Sequence, residues 1–319
     1  MKQLYTYGKY LLDKFGCKVY KVGINISGFT CPNIDGTVAK GGCTFCENDS
    51  FSASTNQIQD LKGFHLNLNS TTNPFLQQQL AQLKEQFQTI SKLQKEKYGA
   101  KKFLVYFQSF TNTYAPFETL KALYDEALSF DDVVGLSIGT RSDSITDETL
   151  EYLVELSKEK EIWIEFGIQS IYNETLKKIN RGHTSQNVKE WILKAKSKGL
   201  LVCGHLIFGL PDETKQMMLN TAKEAYNWGI DSVKYHPLYV VKRTALGNDY
   251  LKGKFVPITQ EDYLDILVES IALKPENVSI QRVTAGIDDD TLLAPQWCRN
   301  KNQQIKNINK ALKPLNLKY

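Results

Sequence analysis

The sequence predicts an α/β fold organised on a parallel sheet, and three observations lead there. Between Val19 and Tyr239 six segments of strand character each give way to a segment of helical period. Glycines stand where helices should stop, as at Gly99, Gly199 and Gly229. Polar residues collect just behind the strand ends, the rim at which barrels carry function. So many strand–helix units in succession imply a full or partial barrel, expected here as a partial (β/α)6 TIM-like barrel. A small α/β extension follows it.

The first strand is Val19 to Ile26, in which apolar and polar residues alternate. A cysteine-bearing loop comes next, then a polar stretch from Asn48 to Thr72. A helix starts at Asn73-Pro74, a cap with Pro in the first turn, and runs to Lys97 with Leu76, Leu80, Leu83, Phe87, Ile90 and Leu93 on one stripe. Strand and helix then alternate as Phe103–Phe107, Pro116–Leu128, Val133–Ile138 and Thr146–Lys158, the last with Asp147 and Glu148 in its first turn. Ile162–Ile168 is the fourth strand, followed by two helices, Asn173–Ile179 and Ser185–Lys198. Leu200–Phe208, the helix Glu213–Trp228 and the strand Ser232–Tyr239 complete the series. Beyond it, Thr259 caps a helix to Leu273, Val278–Val283 reads as a strand and Arg299–Leu312 as a basic helix. This divides the chain into a basic segment over 1–18, a core over 19–246 and an extension over 247–319.

With 319 residues, of which 42% are hydrophobic and 11% aromatic, the chain has the mass for one large domain and an appendage. No apolar run approaches the ~20 residues of a membrane span. The first twenty residues carry lysines without the apolar core of a signal peptide, so a cytoplasmic location is expected. Net charge is only +4, but its distribution is uneven. Five lysines face one acid, Asp13, between Met1 and Ile24, and six basic residues face no acid between Thr291 and Tyr319. Positive ends suit a polyanion lying across them, although solvated surface reads the same way.

Three of the six cysteines, Cys31, Cys43 and Cys46, fall within sixteen residues, among Gly36, Gly41 and Gly42. In a reducing compartment such a trio points to metal rather than disulfide. Three thiolates are one short of a closed zinc or iron–sulfur site, and spacing alone serves either metal. A zinc knuckle completed by His65 or Cys17 therefore stays open. Cys17, Cys203 and Cys298 have no metal-like spacing. Behind the strand ends lie Gln108, Arg141, Asp143, Gln169, Gly209, Pro211 and His236, with Glu165, His205 and Lys234 inside strands. Taken singly, each could be a cap or a satisfied buried group; their shared address at one rim favours a common site.

With these residues in place, the chain resembles the radical S-adenosylmethionine (SAM) superfamily. Within it the chain is similar to the YtqA/YhcC group, itself related to the radical domain of the Elongator catalytic subunit. The resemblance rests on Cys31-x11-Cys43-x2-Cys46, Tyr106 to Pro116, Gly135 to Arg141, Glu165 to Ser170, Ile179 to His183, His205 to Pro211 and Val233 to Tyr239. It implies a [4Fe-4S] cluster on Cys31, Cys43 and Cys46, with the fourth iron chelated by the methionine end of SAM. Cleavage of SAM by the reduced cluster would give a 5′-deoxyadenosyl radical that abstracts hydrogen. It also implies cofactor contacts from Phe45 (adenine), Gln108, Gln169 and Arg181 (ribose and methionine carboxylate), His205, Gly209 and Pro211. His183, Lys234, His236 and Arg243 would lie on the substrate side. Two places depart from the superfamily's habit. Gln108-Ser109-Phe110-Thr111 stands where a Gly-Gly-Glu element often holds the SAM amino group, and His205 stands where some relatives carry Asp.

The group resemblance further implies a tRNA substrate, with a wobble 5-carboxymethylaminomethyluridine converted to 5-aminomethyluridine. A separate tRNA methyltransferase would act on the product, and a flavodoxin or ferredoxin would supply electrons. Two other readings stand beside it: a radical enzyme on a small molecule, as in coproporphyrinogen dehydrogenase chemistry, and a zinc-stabilised nucleic-acid binder without catalysis.

Overall fold

The computed structural model describes residues 1–47, 61 and 63–319. Much of the polar stretch behind the cysteine loop, residues 48–60 and 62, lies outside the described residues. In chain order the elements begin with β1 (Lys2–Gln3), α1 (Tyr7–Phe15), β2 (Val19–Ile24), α2 (Leu76–Tyr98), β3 (Lys102–Phe107), α3 (Phe117–Ser129) and β4 (Val133–Thr140). They continue with α4 (Asp147–Ser157), β5 (Glu161–Gln169), α5 (Asn173–Lys178), α6 (Ser185–Ser197), β6 (Leu201–Phe208), α7 (Lys215–Asn227) and β7 (Ser232–Pro237). The chain closes with β8 (Val240–Val241), α8 (Ala245–Leu251), α9 (Gln260–Ala272), β9 (Ser279–Arg282), β10 (Leu292–Ala294), α10 (Lys301–Leu312) and β11 (Leu317–Lys318).

One parallel sheet, in the order β2-β3-β4-β5-β6-β7-β9, curls into a partial barrel with its helices outside. The central strands are buried on both faces, every residue of β5 included, as a parallel sheet clad by helices requires. Six strands stand where the sequence placed them; the seventh does not come from the core segment. The strand read as part of the extension, β9, pairs in parallel with β7, matching Val233 to Ile280 and Lys234 to Arg282. Four residues are too few to announce a barrel strand, and pairing gives β9 its place rather than propensity.

The two ends of the open sheet are tied. Lys21 Nζ on β2 donates to Gln281 Oε1 on β9 at 2.7 Å, and Thr6 bridges to Ile280. Helix α1 stops the N-terminal end of the barrel. Its Tyr7 and Leu11 pack on Leu104, Trp163 and Cys203, and Tyr10 donates to Glu161 at 2.6 Å. The basic N-terminal segment is thus a plug, with β1 paired to β11 at the chain's other end. No described helix is long and apolar enough to cross a membrane.

Helix α2 starts at Leu76, three residues after the expected cap, because Asn73 Oδ1 is taken by the Phe75 amide instead. Its apolar stripe is narrower than the sequence suggested. Leu83 and Phe87 are buried while Leu93 is exposed, and Gln79, Gln82 and Gln86 fill the inner face.

Candidate active site

The loop after β2 carries the three cysteines, and its shape is set by short backbone bonds. Ile34 and Asp35 amides donate to the Cys31 carbonyl, Gly42 N to Asn33 O at 2.8 Å, and Cys46 N to Cys43 O at 2.9 Å. A second segment, Asn180-Arg181-Gly182 behind α5, holds the loop from below. Asn180 Nδ2 donates to the Gly42 carbonyl at 2.7 Å, and Asn33 Nδ2 to the Arg181 carbonyl at 3.0 Å. Gly182 sits at φ +83°, and a Cβ there would lie 2.5 Å from Asn33 Oδ1, so only glycine lets the two segments meet.

The three thiols open on a cavity of about 590 Å³ at the C-terminal ends of the strands. Of the residues singled out in the sequence, Cys31, Cys43, Phe45, Cys46, Gln108, Gln169, Arg181, His205, Lys234 and His236 all line it. Cys43 Sγ accepts from Asn33 Nδ2 and Arg181 Nη1, each at 3.6 Å. Burial, and then the neighbouring thiols Cys43 and Cys31, push the Cys46 thiol up to about 12. Three sulfurs this close share a site once a cation binds and displaces their protons.

Facing the sulfurs, Arg181 Nη2 donates to the Gly167 carbonyl at 3.2 Å while its buried Nε has no partner among the described residues. Arg141 grips Asp143 through Nε at 2.8 Å and Nη2 at 2.6 Å, and its Nη1 is also unpartnered, as is Gln169 Oε1. Burial alone would raise Asp143, but the Arg141 fork holds it below the usual carboxylate range. Three thiols beside orphaned guanidinium donors and an orphaned amide oxygen fit a [4Fe-4S] cluster with a ligand bearing a carboxylate and hydroxyls.

Deeper in the barrel lies a network that the sequence did not disclose. Glu165, fully buried, accepts from Ser137 Oγ at 2.6 Å and contacts His205 Nε2 at 2.7 Å. It also ion-pairs with Lys21 and Lys234. Burial would raise the Glu165 carboxyl, yet the charges of Lys21 and Lys234 hold it well below its ordinary value. Burial and then Lys234 bring His205 down to about 4, so it is neutral near pH 7. Lys234 also donates to Tyr106 Oη at 2.9 Å, so its charge is committed inside the barrel. Glu165, Cys203 and His205 lie close enough to hold a metal ion, but two ammonium groups already occupy the carboxylate. The signal for this network was available: Lys21, Glu165 and Lys234 interrupt otherwise apolar strands.

Four expected site residues lie elsewhere. Gly209 and Pro211 line a second cavity, of about 670 Å³, together with Asp212 and Ile258. Gly209, at φ +93°, is needed because a Cβ would come within 2.7 Å of Ile258, so the residue has a packing role. Arg243 does not line the cysteine cavity and instead ion-pairs with Glu47 at 2.8 Å. His183 is buried behind Arg181 and Arg141; burial, and then these two charges, pull it down to about 3.

Comparison with known proteins places this geometry. The Radical SAM superfamily model matches residues 35–225, and the radical SAM C-terminal domain model matches residues 230–314. YtqA of Bacillus subtilis is 35% identical over 98% of this chain and 90% of its own length. The tRNA uridine(34) acetyltransferase of Methanocaldococcus infernus is 29% identical over 48% of this chain and 29% of its own. The structure of the archaeal Methanocaldococcus infernus Elp3 with an N-terminal deletion superposes with a TM-score of 0.61 at 18% identity, covering 94% of this chain and 64% of that one, a likeness of fold. A non-catalytic zinc protein is thereby set aside, and the chain belongs to the radical SAM superfamily, enzymes that use a [4Fe-4S] cluster and S-adenosylmethionine.

Proposed function

We propose that this enzyme acts on tRNA, converting a wobble 5-carboxymethylaminomethyluridine to 5-aminomethyluridine. The C–N bond to the carboxymethyl carbon would break after that carbon gives a hydrogen atom to the SAM-derived radical and an electron back to the cluster, and water would release the two carbons as glyoxylate. The observation that carries the reading is the likeness, over about half of the chain, to a tRNA uridine(34) enzyme. Helix α10 and the turn behind it support the reading, since Lys306, Lys310 and Lys313 are exposed there and form no ion pair among the described residues. An electron donor such as a flavodoxin or ferredoxin and a downstream tRNA methyltransferase complete the proposal.

In this reading Cys31, Cys43 and Cys46 hold the cluster, which with SAM supplies a carbon-centred radical for hydrogen abstraction. The chain's own residues bind, orient and exclude water. Arg181 and Asn33 donate to Cys43 Sγ and so hold the sulfur in place. The unpartnered N–H groups of Arg181 and Arg141 are offered to the methionine carboxylate, and Gln169 Oε1 to a ribose hydroxyl. Phe45, packed on Ile179, Ile207 and Leu246, presents an apolar face to the cavity beside the sulfurs and keeps water from them.

The test is anaerobic. Cluster-loaded protein, SAM and dithionite are incubated with and without tRNA carrying the carboxymethylaminomethyl group, and 5′-deoxyadenosine and the modified nucleosides are quantified. RNA-dependent 5′-deoxyadenosine with matching loss of the carboxymethyl group is expected, and Cys43→Ala should abolish both. Equal 5′-deoxyadenosine with and without RNA, and unaltered nucleosides, would overturn the assignment in favour of a small-molecule substrate.

A further inference from the structure

We infer that Arg282 and Lys301 form an anion subsite in the cysteine cavity that takes a carboxylate of the substrate. Both side chains line the cavity, on the wall supplied by β9 and α10, whereas the cysteines come from the loop after β2. Charge on the lining is unbalanced. Five cations, Arg141, Arg181, Lys234, Arg282 and Lys301, face a single carboxylate, Glu165.

Three of the five are already spoken for. Lys234 shares Glu165 with Lys21, while Arg141, held by Asp143, and Arg181, turned to the Cys43 sulfur, keep their remaining N–H groups for the methionine carboxylate proposed above. Arg282 and Lys301 form no ion pair among the described residues. They are near enough for the charge of Arg282 to lower Lys301, after burial, and the same charge acts on His236 and His205, both of which burial keeps neutral. Lys301 is moreover the first residue of α10, a helix of 12 residues whose positive end adds to the local potential. Two cations on one cavity wall, without a counter-charge among the described residues and with otherwise neutral groups around them, are a seat for a negatively charged oxygen pair.

This inference rests on the proposed tRNA reading, and it adds which part of the substrate the C-terminal segment recognises. The carboxymethylaminomethyl group carries its carboxylate beside the carbon at which it is cut, so both must enter this cavity. The aminomethyl product has lost that carboxylate. A seat for it therefore binds substrate in preference to product and lets the product leave.

Two other sources of anionic oxygen are distinguishable: the methionine carboxylate of SAM and an RNA phosphate. The experiment measures Kd of the cluster-loaded full chain for two anticodon stem–loops that differ only in carrying carboxymethylaminomethyl- or aminomethyluridine, together with Kd for SAM. Wild type should prefer the carboxylated stem–loop by about 10-fold or more, the worth of one charge-assisted hydrogen-bond pair. In Arg282→Gln and Lys301→Gln the preference should shrink towards parity, with Arg282→Lys keeping part of it and SAM affinity unchanged. The proposal is overturned if the preference survives both substitutions. It is also overturned if both stem–loops weaken equally, which marks a phosphate contact, or if SAM affinity falls, which marks the methionine carboxylate. A wild type that binds both stem–loops without preference refutes the subsite alone; one that binds neither above a neutral control protein refutes the tRNA reading itself.

Discussion

Glu165 shows how much one side chain can organise. It is fully buried, and its two oxygens answer Lys21, Lys234, Ser137 and His205 from four other strands of the barrel. Replacing it with Gln leaves two ammonium groups inside the barrel with no counter-charge, and removal of one partner of a buried pair costs roughly 3–5 kcal/mol. We expect Glu165→Gln to lower the unfolding free energy by about that much at pH 7, measured by urea denaturation. The sign with pH follows from the depressed carboxyl. Its folded-state value lies well below 4.5, so the stabilisation is complete above the unfolded value and fades as pH falls below about 4.5 towards the folded one. The gap between wild type and variant should therefore be constant from neutral pH down to that point and narrow below it. A gap independent of pH down to acid unfolding would show that the carboxylate charge is not what stabilises the barrel.

At the scale of elements, the edge strand β2 sets a problem that α2 solves. An edge presents unpaired amides and carbonyls, and the glutamines of α2 cap those of the segment that continues β2, Asn25 to Ser27. Gln86 accepts from Asn25 N at 3.0 Å and donates to Asn25 O at 2.8 Å, Gln82 accepts from Ser27 N at 2.9 Å, and Gln79 donates to Ser27 O at 2.7 Å. These bonds fix the chain where the cysteine loop begins. Gln86→Leu keeps the volume and loses both bonds, which should cost about 1–3 kcal/mol for the stranded backbone groups. The loss should appear in urea denaturation and as faster amide exchange at Asn25; unchanged exchange there would mean that water or a neighbour serves equally well. Here the limits of reading a sequence become physical. Strands β3 to β7 were legible because buried parallel strands are continuous apolar runs, and the cysteine loop because ligand spacing is local. The role of the α2 glutamines was not, since a polar helical face looks the same whether it meets water or a strand edge. β9 was read as a strand, Val278–Val283, but its place as the seventh strand of the sheet was not legible, since pairing with β7 sets it; nor was the packing of Gly209, which depends on Ile258 some fifty residues away.

For the whole molecule, the question is which of its positive charges remain free to meet RNA. The N-terminal lysines, which by composition matched those at the other end, are engaged within the chain. Lys2 pairs with Glu276, Lys9 with Asp13, Lys14 with Glu161 and Lys21 with Glu165, and Lys18 donates to the Tyr98 carbonyl at 3.2 Å. On α10 and just behind it, Lys306, Lys310 and Lys313 are exposed with no such partner among the described residues, and the same helix delivers Lys301 to the cavity. If RNA lies along this face, each phosphate it neutralises releases counterions and steepens the fall of affinity with salt, by about 0.7 to 0.9 in the logarithmic slope. Replacing Lys306, Lys310 and Lys313 with Gln should then weaken tRNA binding at low salt and reduce that slope by roughly 2 to 3, while SAM cleavage in the absence of RNA stays as it was. Replacing Lys9 and Lys18 with Gln should leave the slope where it is, because these side chains already serve the fold. A slope that responds to the N-terminal pair and not to the α10 trio would move the RNA to the opposite end of the barrel, away from the rim where the cysteines and the basic helix meet.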